Sequence, residues 1–391
     1  MRTIANPMAI ALALSCLTAL PGRAVADILV SGNEGKYDLS SGRGRAVEKP
    51  EPDSLTILDF AVFPPQVRHI VGVANSVIGP PSNVAITPDE RFALVANSVR
   101  HYTDDPKRPD PDDVVQIVDL ASGSRGIIET VRVGRQPSGI AINRAGDMAL
   151  VANRGDGTVS VLSIDGPRVT VRETITVGGK DSEPSDVAFN PAGTLALLSL
   201  NKAAALRVLS ITAGRVKLQD RKLPVYGQPY HVDITSDGAL GFVAGGGGQE
   251  GPDADLLGVI DLAADPARTI DHVVVGTGPE SFDVSPDGRL VAVVLMEGSN
   301  VAADNPQRSE HGRLRLWKRS GKALTKVQDL PIGRIPEGVC FTPDGRYLVV
   351  QEHAARRLSV FEVAADGLKE TGVHIPTPGF PSSLRRADRS R

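Results

Sequence analysis

The stretch PSGIAINRAGDMALVAN, residues 137–153, contains two short apolar runs joined by a polar, glycine-containing turn. The same pattern opens on a proline at five other places: PSNVAITPDERFALVAN (81–97), PSDVAFNPAGTLALLSL (184–200), PYHVDITSDGALGFVAG (229–245), PESFDVSPDGRLVAVVL (279–295) and PEGVCFTPDGRYLVVQE (336–352). All six segments align without a gap. Self-similarity at intervals of about 40 to 57 residues predicts one repeat array in place of several unrelated domains.

Each repeat is expected to form a four-stranded antiparallel sheet. Turns written SPDG, TPDG, TSDG or NPAG join the first two runs, and glycine supplies the positive φ that a tight hairpin needs. A third and a fourth apolar run follow, as in TVSVLSI and RETITVGG of the second repeat. Such units predict the blades of an all-β propeller, because closing the blades into a ring protects their sheet edges.

The two ends of the chain are predicted to share a final blade. The segments DILVSGN (27–33), SLTILDF (54–60) and QVRHIVGVANSVIG (66–79) resemble the second, third and fourth strands of a repeat, and PSSLRRAD (381–388) resembles the first. The sequence therefore predicts a seven-bladed β-propeller that occupies residues 27–391 as one domain. PSSLRRAD is the weakest match, because Arg385 and Arg386 stand at apolar positions.

The N-terminal segment predicts export. Arg2 precedes the apolar run MAIALALSCLTAL (8–20), which is too short to span a bilayer, and AVA (24–26) has the small residues of a cleavage site. We expect a signal peptide over residues 1–26, cleavage after Ala26, and a periplasmic or secreted monomer without a transmembrane segment. The mature chain would carry 41 basic and 46 acidic residues, a net charge of −5, so nucleic acid is not an expected partner.

The repeats resemble a known family. The units PDGRLVAVV (286–294), ALVANRGDGTVSVL (149–162) and ETITVGGKDSEPSDVAFNP (173–191) are similar to the YVTN β-propeller repeats of exported seven-bladed proteins. The resemblance covers nearly all of the mature chain and implies the propeller fold. It implies little about function, because the shared residues build turns and core and a propeller supports many activities.

Four long connections between the second and third strands indicate a binding face. They span residues 33–53, 98–113, 246–255 and 297–312, whereas the turns between the first and second strands are short. Two are acidic, and their carboxylates are Asp104, Asp105, Asp110, Asp112, Asp113, Glu250, Asp253 and Asp255. Clustered carboxylate oxygens could bind Ca²⁺ as a cofactor. The spaced motif of a calcium-binding loop is missing, however, so the main prediction is a solvated acidic rim without a cofactor.

Candidate site residues surround the predicted channel mouth. Candidate binding residues are Asn33, Glu34, Asn97, Asn153, Asp186, Tyr230 and His353. Candidate catalytic residues are His231, Glu280, Glu337 and Glu352. A mouth that mixes histidine and carboxylate suits general acid–base chemistry, whereas two histidines on different blades do not make a metal site.

The function classes remain open at this point. The main hypothesis is a non-catalytic module that binds a small molecule or a periplasmic protein on the long-loop face. The alternative is a lactonase-like hydrolase, because PYHVDITSDG resembles the His-containing opening of the 6-phosphogluconolactonase type through His231, with Tyr230 in place of the arginine and Gly245 in place of a glutamate. A third hypothesis is an accessory propeller of a redox system, which the lack of a CxxCH motif disfavours.

Overall fold

The structure is a computed structural model that describes residues 27–103, 109–124, 126–246 and 253–389. The predicted signal peptide lies outside these ranges, and so do Asp104, Asp105 and Glu250 of the acidic loops. The described chain is almost entirely strand and turn. Its two 3₁₀ helices, Lys180–Ser182 and His353–Ala355, are each a single turn, and the described residues include no helix long and apolar enough to cross a membrane.

The strands are numbered in chain order. The first ten are β1 (Ile28–Glu34), β2 (Tyr37–Asp38), β3 (Arg45–Ala46), β4 (Ser54–Asp59), β5 (Gln66–Val71), β6 (Val84–Ile86), β7 (Phe92–His101), β8 (Asp110–Asp119), β9 (Ile127–Arg132) and β10 (Pro137–Ile142). The next ten are β11 (Met148–Asn153), β12 (Thr158–Asp165), β13 (Arg168–Thr176), β14 (Pro184–Phe189), β15 (Leu195–Leu200), β16 (Ala205–Thr212), β17 (Arg215–Leu223), β18 (Gln228–Ile234), β19 (Leu240–Gly246) and β20 (Asp255–Asp261). The last ten are β21 (Arg268–Gly276), β22 (Pro279–Val284), β23 (Leu290–Leu295), β24 (Gly312–Ser320), β25 (Ala323–Ile332), β26 (Pro336–Phe341), β27 (Tyr347–Glu352), β28 (Arg357–Ala364), β29 (Gly367–Pro376) and β30 (Phe380–Arg386).

These strands form a seven-bladed propeller, as the repeats predict. Blade 1 has the order β30-β1-β4-β5, and blades 2 to 7 take their four strands in chain order from β6 to β29. All neighbours within the blades are antiparallel, and we call the strands of each blade A to D from the channel outward. The C-terminal strand supplies strand A of blade 1, with Leu29 opposite Arg386 and Ser31 opposite Leu384. The predicted composite blade is therefore confirmed.

The core consists of one apolar cluster between each pair of neighbouring blades. Between blades 1 and 2, for example, Val30 and Ile57 pack against Val84 and Val95. The cluster that closes the ring joins Leu29 and Leu384 of blade 1 to Cys340 and Val349 of blade 7. Cys340 is a free cysteine that is buried in this cluster as a small apolar side chain. Burial on both faces of every blade explains why the strands near the channel are nearly continuous apolar runs.

The predicted glycine is present in the turn between strands A and B in five of the six blades that a complete repeat forms. Five of these turns place a glycine at positive φ, and these residues are Gly146, Gly193, Gly238, Gly288 and Gly345. Blade 2 has Glu90 instead, at a φ of 56°. A residue with a Cβ is strained in this region, by about 1 kcal/mol relative to glycine.

We expect the variant Glu90→Gly to be more stable than Glu90→Ala by about 1 kcal/mol. Both variants remove the carboxylate and its 3.1 Å ion pair with Arg389, so they differ only in the Cβ at positive φ. The difference should appear in the free energy of unfolding measured with guanidinium chloride. Equal stabilities would show that the turn relaxes to accommodate the side chain.

The long connection of blade 1 lies on the face that contains the loops of blades 2, 6 and 7. We call residues 35–53, which include the small hairpin β2–β3, the strap. Its far end lies on blades 6 and 7: Arg43 pairs with Asp304 at 2.8 Å, and Arg334 donates to the carbonyl oxygen of Ser40 at 2.8 Å. The strap therefore covers part of the face that the sequence analysis selected as the binding face.

Candidate active site

The seven A strands begin with equivalent residues at one mouth of the channel. The residue that follows the opening proline is, from blade 1 to blade 7, Ser382, Ser82, Ser138, Ser185, Tyr230, Glu280 and Glu337. A β-bulge follows this proline in blades 3 to 7, for example between Pro229 and Val232, and between Pro279 and Ser281. A bulge frees its residues from regular pairing with strand B and re-aims their side chains. The ring is chemically uneven, because its ionisable members lie on blades 5 to 7 and its serines on blades 1 to 4.

Glu280 and Glu337 form an acidic pair on adjacent blades. Burial raises the pKa of Glu280 to about 7, although a hydrogen bond from Tyr230 and the charge of Arg154 both lower it. Burial, and then the nearby charges of Glu280 and Glu34, raises the pKa of Glu337 well above its usual range. Two carboxyl groups of which one raises the pKa of the other do not both ionise readily, so the pair titrates as a unit. One member can hold a proton near neutral pH while the other loses it.

Tyr230 and Arg154 complete the polar side of this mouth. Burial, followed by the charge of Glu280, raises the pKa of Tyr230 well above its usual value, so the phenol stays protonated and can donate to Glu280. Arg154 comes from the turn after strand B of blade 3 and is mostly buried. Its guanidinium donates to Ser185 Oγ at 2.6 Å and pairs with Glu183 at 2.7 Å. Arg154 is therefore a fixed positive charge near the acidic pair.

Glu34 adds a third buried carboxyl group at this mouth, below the strap. Its Oε2 accepts hydrogen bonds from Val77 N at 2.6 Å and from the Tyr102 hydroxyl at 3.3 Å. Burial raises the pKa of Glu34 to about 7, although Lys36, 3.4 Å from Oε1, lowers it. Tyr102 also stacks on Tyr37 of the strap, with ring centroids 4.1 Å apart. The two tyrosines form an aromatic wall beside the carboxyl groups.

His231 lies deeper in the channel than the acidic pair. The ring is fully buried, and it packs edge-on against Phe282 with centroids 4.7 Å apart. Its Nδ1 is 3.7 Å from Asp186 Oδ2, and neither ring nitrogen has a hydrogen-bond partner within the described residues. Burial, and then the charge of Arg385, lowers the pKa of His231 well below its usual value, so the ring is neutral. The described contacts pair His231 with Asp186 and not with a glutamate.

Asp186 is a structural acceptor in the middle of the channel. It accepts hydrogen bonds from Ser82 Oγ at 2.7 Å, from Val187 N at 2.9 Å and from Val232 N at 3.0 Å. These contacts join blades 2, 4 and 5. Burial raises the pKa of Asp186 to about 6.

Glu352 and His353 hold loops of blades 7 and 1 at the same face. Glu352 accepts from Gly333 N at 2.9 Å and pairs with Arg357. The ring of His353 is buried between Pro381 O, 3.2 Å from Nδ1, and Leu39 N of the strap, 3.4 Å from Nε2. Burial lowers the pKa of His353 to about 4. Both side chains support the mouth, and the structure brings neither into contact with the pair formed by Glu280 and Glu337.

The three candidate asparagines tie the ends of their B strands to neighbouring groups. Asn33 donates to Thr56 Oγ1 at 3.0 Å, Asn97 to Asp112 at 2.7 Å, and Asn153 to Thr158 Oγ1 at 3.0 Å. All three are buried. They keep the loop bases in place, and their amide nitrogens are engaged within the protein.

Several carboxylates of the acidic loops are engaged as well. Asp112 pairs with Arg100 at 3.1 Å, Asp113 with Arg132 at 2.7 Å, and Asp255 accepts from Gly278 N at 2.8 Å. Over residues 27–103, 109–124, 126–246 and 253–389, no group of three or more His, Cys, Asp or Glu side chains is arranged to hold a metal ion.

No motif in the sequence alone pointed to Arg154, Tyr102, Tyr37 or Lys36 as site residues. Arg154 occurs in the RGD turn of the second repeat, a sequence that any hairpin could contain. Tyr37, Lys36 and Tyr102 lie in long loops, and their contact follows from loop paths that no repeat pattern specifies. Aromatic residues are scarce in this chain, at 4%, and the presence of a tyrosine in each of two long loops of the same face was the available signal.

Comparisons with known proteins agree with the fold. Residues 113–234 match the family model described as lactonase, 7-bladed β-propeller. A search of curated proteins finds no match. Among solved structures, a candidate 6-phosphogluconolactonase from Bacteroides fragilis is 16% identical, with a TM-score of 0.67, and the alignment covers 94% of this chain and 100% of that one.

Two further structures show how widely this fold is used. The periplasmic gluconolactonase of Pseudomonas aeruginosa is 19% identical, with a TM-score of 0.65 over 91% of this chain and 98% of that one. The hydrazine synthase of Kuenenia stuttgartiensis is also 19% identical, with a TM-score of 0.60 over 79% of this chain and 90% of that one. At such identities the likeness concerns the fold. This chain is thus a seven-bladed β-propeller that resembles the lactonase type, with a family match over residues 113–234.

Proposed function

We propose that this protein is a hydrolase that opens the lactone of a sugar acid at the mouth formed by Tyr230, Glu280 and Glu337. The observation that carries the proposal is the pair of buried glutamates on adjacent blades, with pKa values raised by burial and, for Glu337, by its neighbouring carboxylates. Groups with pKa values pushed into or above the neutral range suit general acid–base catalysis. The family match and the lactonases of the same fold agree with this reaction class.

In the proposed reaction Glu280 is the base and Glu337 the acid. Glu280 accepts a proton from a water molecule while the water oxygen bonds to the lactone carbonyl carbon. Arg154 stabilises the negative charge that develops on the carbonyl oxygen. The ring C–O bond then breaks, Glu337 gives its proton to the leaving oxygen, and the open-chain hydroxy acid is released. Transfer of the proton from Glu280 to Glu337 restores the starting state, so one lactone and one water yield one hydroxy acid.

The charges at the mouth favour an uncharged lactone over a phosphorylated one. Glu280 is ionised in the proposed starting state, and Glu337 lies near both Glu280 and Glu34. The ion pair with Glu183 leaves Arg154 without the excess positive charge that a dianion would need. A phosphate dianion would therefore be repelled, whereas sugar hydroxyls can bond to carboxylates and to the serines on the other side. Ser138 Oγ, for example, is buried with no hydrogen-bond partner in the described part of the chain. Export through the predicted signal peptide would bring the enzyme to extracytoplasmic sugar lactones.

The test is turnover of glucono-1,5-lactone and 6-phosphogluconolactone by the chain that begins at Asp27. We expect hydrolysis of the first above its spontaneous rate and a lower kcat/KM for the second. The double variant Glu280→Gln and Glu337→Gln should lose this activity, whereas Glu297→Gln, a matched change on the same face whose carboxylate pairs with Arg315 at 2.9 Å, should keep it. Absence of turnover in the unmodified protein would refute the hydrolase and leave the binding-module hypothesis.

A further inference from the structure

A cavity opens at the mouth of the channel where the A strands end, opposite the mouth that contains Glu280. Its volume is about 720 Å³, within the range of small-molecule sites. It lies at the level of Ile86, Ile142, Phe189, Ile234 and Val284, at the far ends of the A strands from the ring that contains Glu280. The cavity is therefore separate from the proposed active site.

Four arginines line this cavity, and three of them are bound to acidic partners. Arg144 Nε pairs with Asp388 at 2.9 Å, and Arg389 pairs with Asp27 at 2.8 Å. Arg386 pairs with Asp283 and donates to Val284 O at 2.8 Å. These three side chains are anchored to the wall.

Arg385 differs from the other three. Its nearest carboxylate oxygen is Asp186 Oδ2 at 3.8 Å, and its guanidinium makes no hydrogen bond to any residue that the structure describes. Asp186 is already engaged by Ser82, Val187 and Val232. A guanidinium carries five N–H donors, and those of Arg385 are available to a ligand because no acceptor among the described residues occupies them. The side chain of Arg385 is 19% exposed and lines the cavity, so its unpaired N–H groups face the open space in which a ligand could accept from them.

The other residues that line the cavity indicate what kind of anion Arg385 can bind. Asp27, Asp233, Asp283, Asp344 and Asp388 also line the cavity, so carboxylates slightly outnumber the arginines. This balance disfavours a dianion such as a phosphate group and tolerates a single negative charge. Asp233 is half-buried next to Asp283, and its carboxylate accepts only a local hydrogen bond from Ile234 N at 2.8 Å among the described contacts. Its remaining acceptor positions suit hydroxyl groups.

We propose that this cavity binds a small polyhydroxylated monocarboxylate, with the carboxylate on Arg385 and hydroxyl groups on Asp233. A guanidinium binds a carboxylate through two parallel hydrogen bonds, which fixes the orientation of the ligand. The cavity is large enough for a monosaccharide acid. This site does not depend on the proposed hydrolase activity, because it uses different residues at the other end of the channel.

Isothermal titration calorimetry with three matched monosaccharides tests the proposal. D-glucuronate, D-glucose and glucose 6-phosphate share a ring and differ in carrying a carboxylate, no charge or a phosphate. We expect the unmodified protein to bind D-glucuronate, and to bind the other two at least about tenfold more weakly. Arg385→Gln should weaken D-glucuronate binding at least about tenfold, whereas Arg144→Gln, whose guanidinium is anchored to Asp388, should change it by less than about twofold.

Two further variants test whether the guanidinium of Arg385 binds the carboxylate and whether the cavity is independent of the active site. Arg385→Lys keeps the charge without the planar fork, so an intermediate affinity is expected even if Arg385→Gln does not fold. Glu280→Gln should bind D-glucuronate as the unmodified protein does, which separates this cavity from the active site. Absence of D-glucuronate binding, unchanged binding in Arg385→Gln, or tighter binding of glucose 6-phosphate would each overturn the proposal.

Discussion

Replacing Glu280 with glutamine is expected to lower kcat for glucono-1,5-lactone by about 10²- to 10⁴-fold, with a much smaller change in KM. Glutamine preserves the shape of the side chain and a hydrogen-bonding oxygen, but it cannot accept a proton from water at neutral pH. Only the proton-transfer step is removed. Steady-state rates of acid release, measured above the spontaneous hydrolysis, give both constants.

Two companion variants make this result specific. Tyr230→Phe removes the hydrogen bond to Glu280 and should lower kcat about tenfold, because it perturbs the base without deleting it. Glu297→Gln should leave both constants within about twofold of the unmodified enzyme. If Glu280→Gln retained full activity, the base would have to be another group, and the assignment of the reaction to the acidic pair would fail.

Replacing Asp283 with alanine is expected to lower the free energy of unfolding by about 3–5 kcal/mol, the largest stability effect that we predict. Asp283 is almost completely buried, and it accepts from Arg386 and, at 2.7 Å, from Phe341 N. Its loss leaves the mostly buried guanidinium of Arg386 without its ion-pair partner, at the point where the C-terminal strand meets blade 6. Denaturant unfolding measures the change.

The matched control is Asp304→Ala, which breaks the ion pair with Arg43. Both side chains of that pair are more than 70% exposed, at 73% and 74%, so its loss should change stability by less than about 1 kcal/mol. Equal effects of the two variants would mean that the pair between Arg386 and Asp283 contributes no more than a surface contact.

The repeat pattern was sufficient to predict the ring, including the blade shared by the two chain ends. The opening prolines and the turn glycines are local signals, and each recurs often enough to be recognised. The weak match of PSSLRRAD now has a physical reason. Arg386 can stand at an apolar position because Asp283 and Val284 O receive its guanidinium inside the channel. Glu90 is the corresponding exception among the turns, where a charged residue occupies a glycine position.

The candidate site was predicted only in part. Glu280 and Glu337 could be selected because both follow an opening proline, which places equivalent residues side by side on neighbouring blades. The placement of His231 beside Asp186, one residue deeper, depends on the bulge that follows Pro229, and alternation along a regular strand does not reveal it. The cavity around Arg385 was missed for another reason. The predicted site residues were chosen on the face that carries the long loops, whereas this cavity is formed by the ends of the A strands on the opposite face.

The most direct test of the account is the pH dependence of kcat/KM for glucono-1,5-lactone between pH 5 and pH 9. Burial raises the pKa of Glu280 to about 7, and a base must be ionised to act, so kcat/KM should fall about tenfold per pH unit below an apparent pKa near 7. Above that value it should reach a plateau until the acid partner, Glu337, loses its proton. The acidic limb should disappear in Glu280→Gln. A profile that is level from pH 5 to pH 8, or an unchanged limb in that variant, would contradict the claim that the buried glutamate pair carries out the reaction.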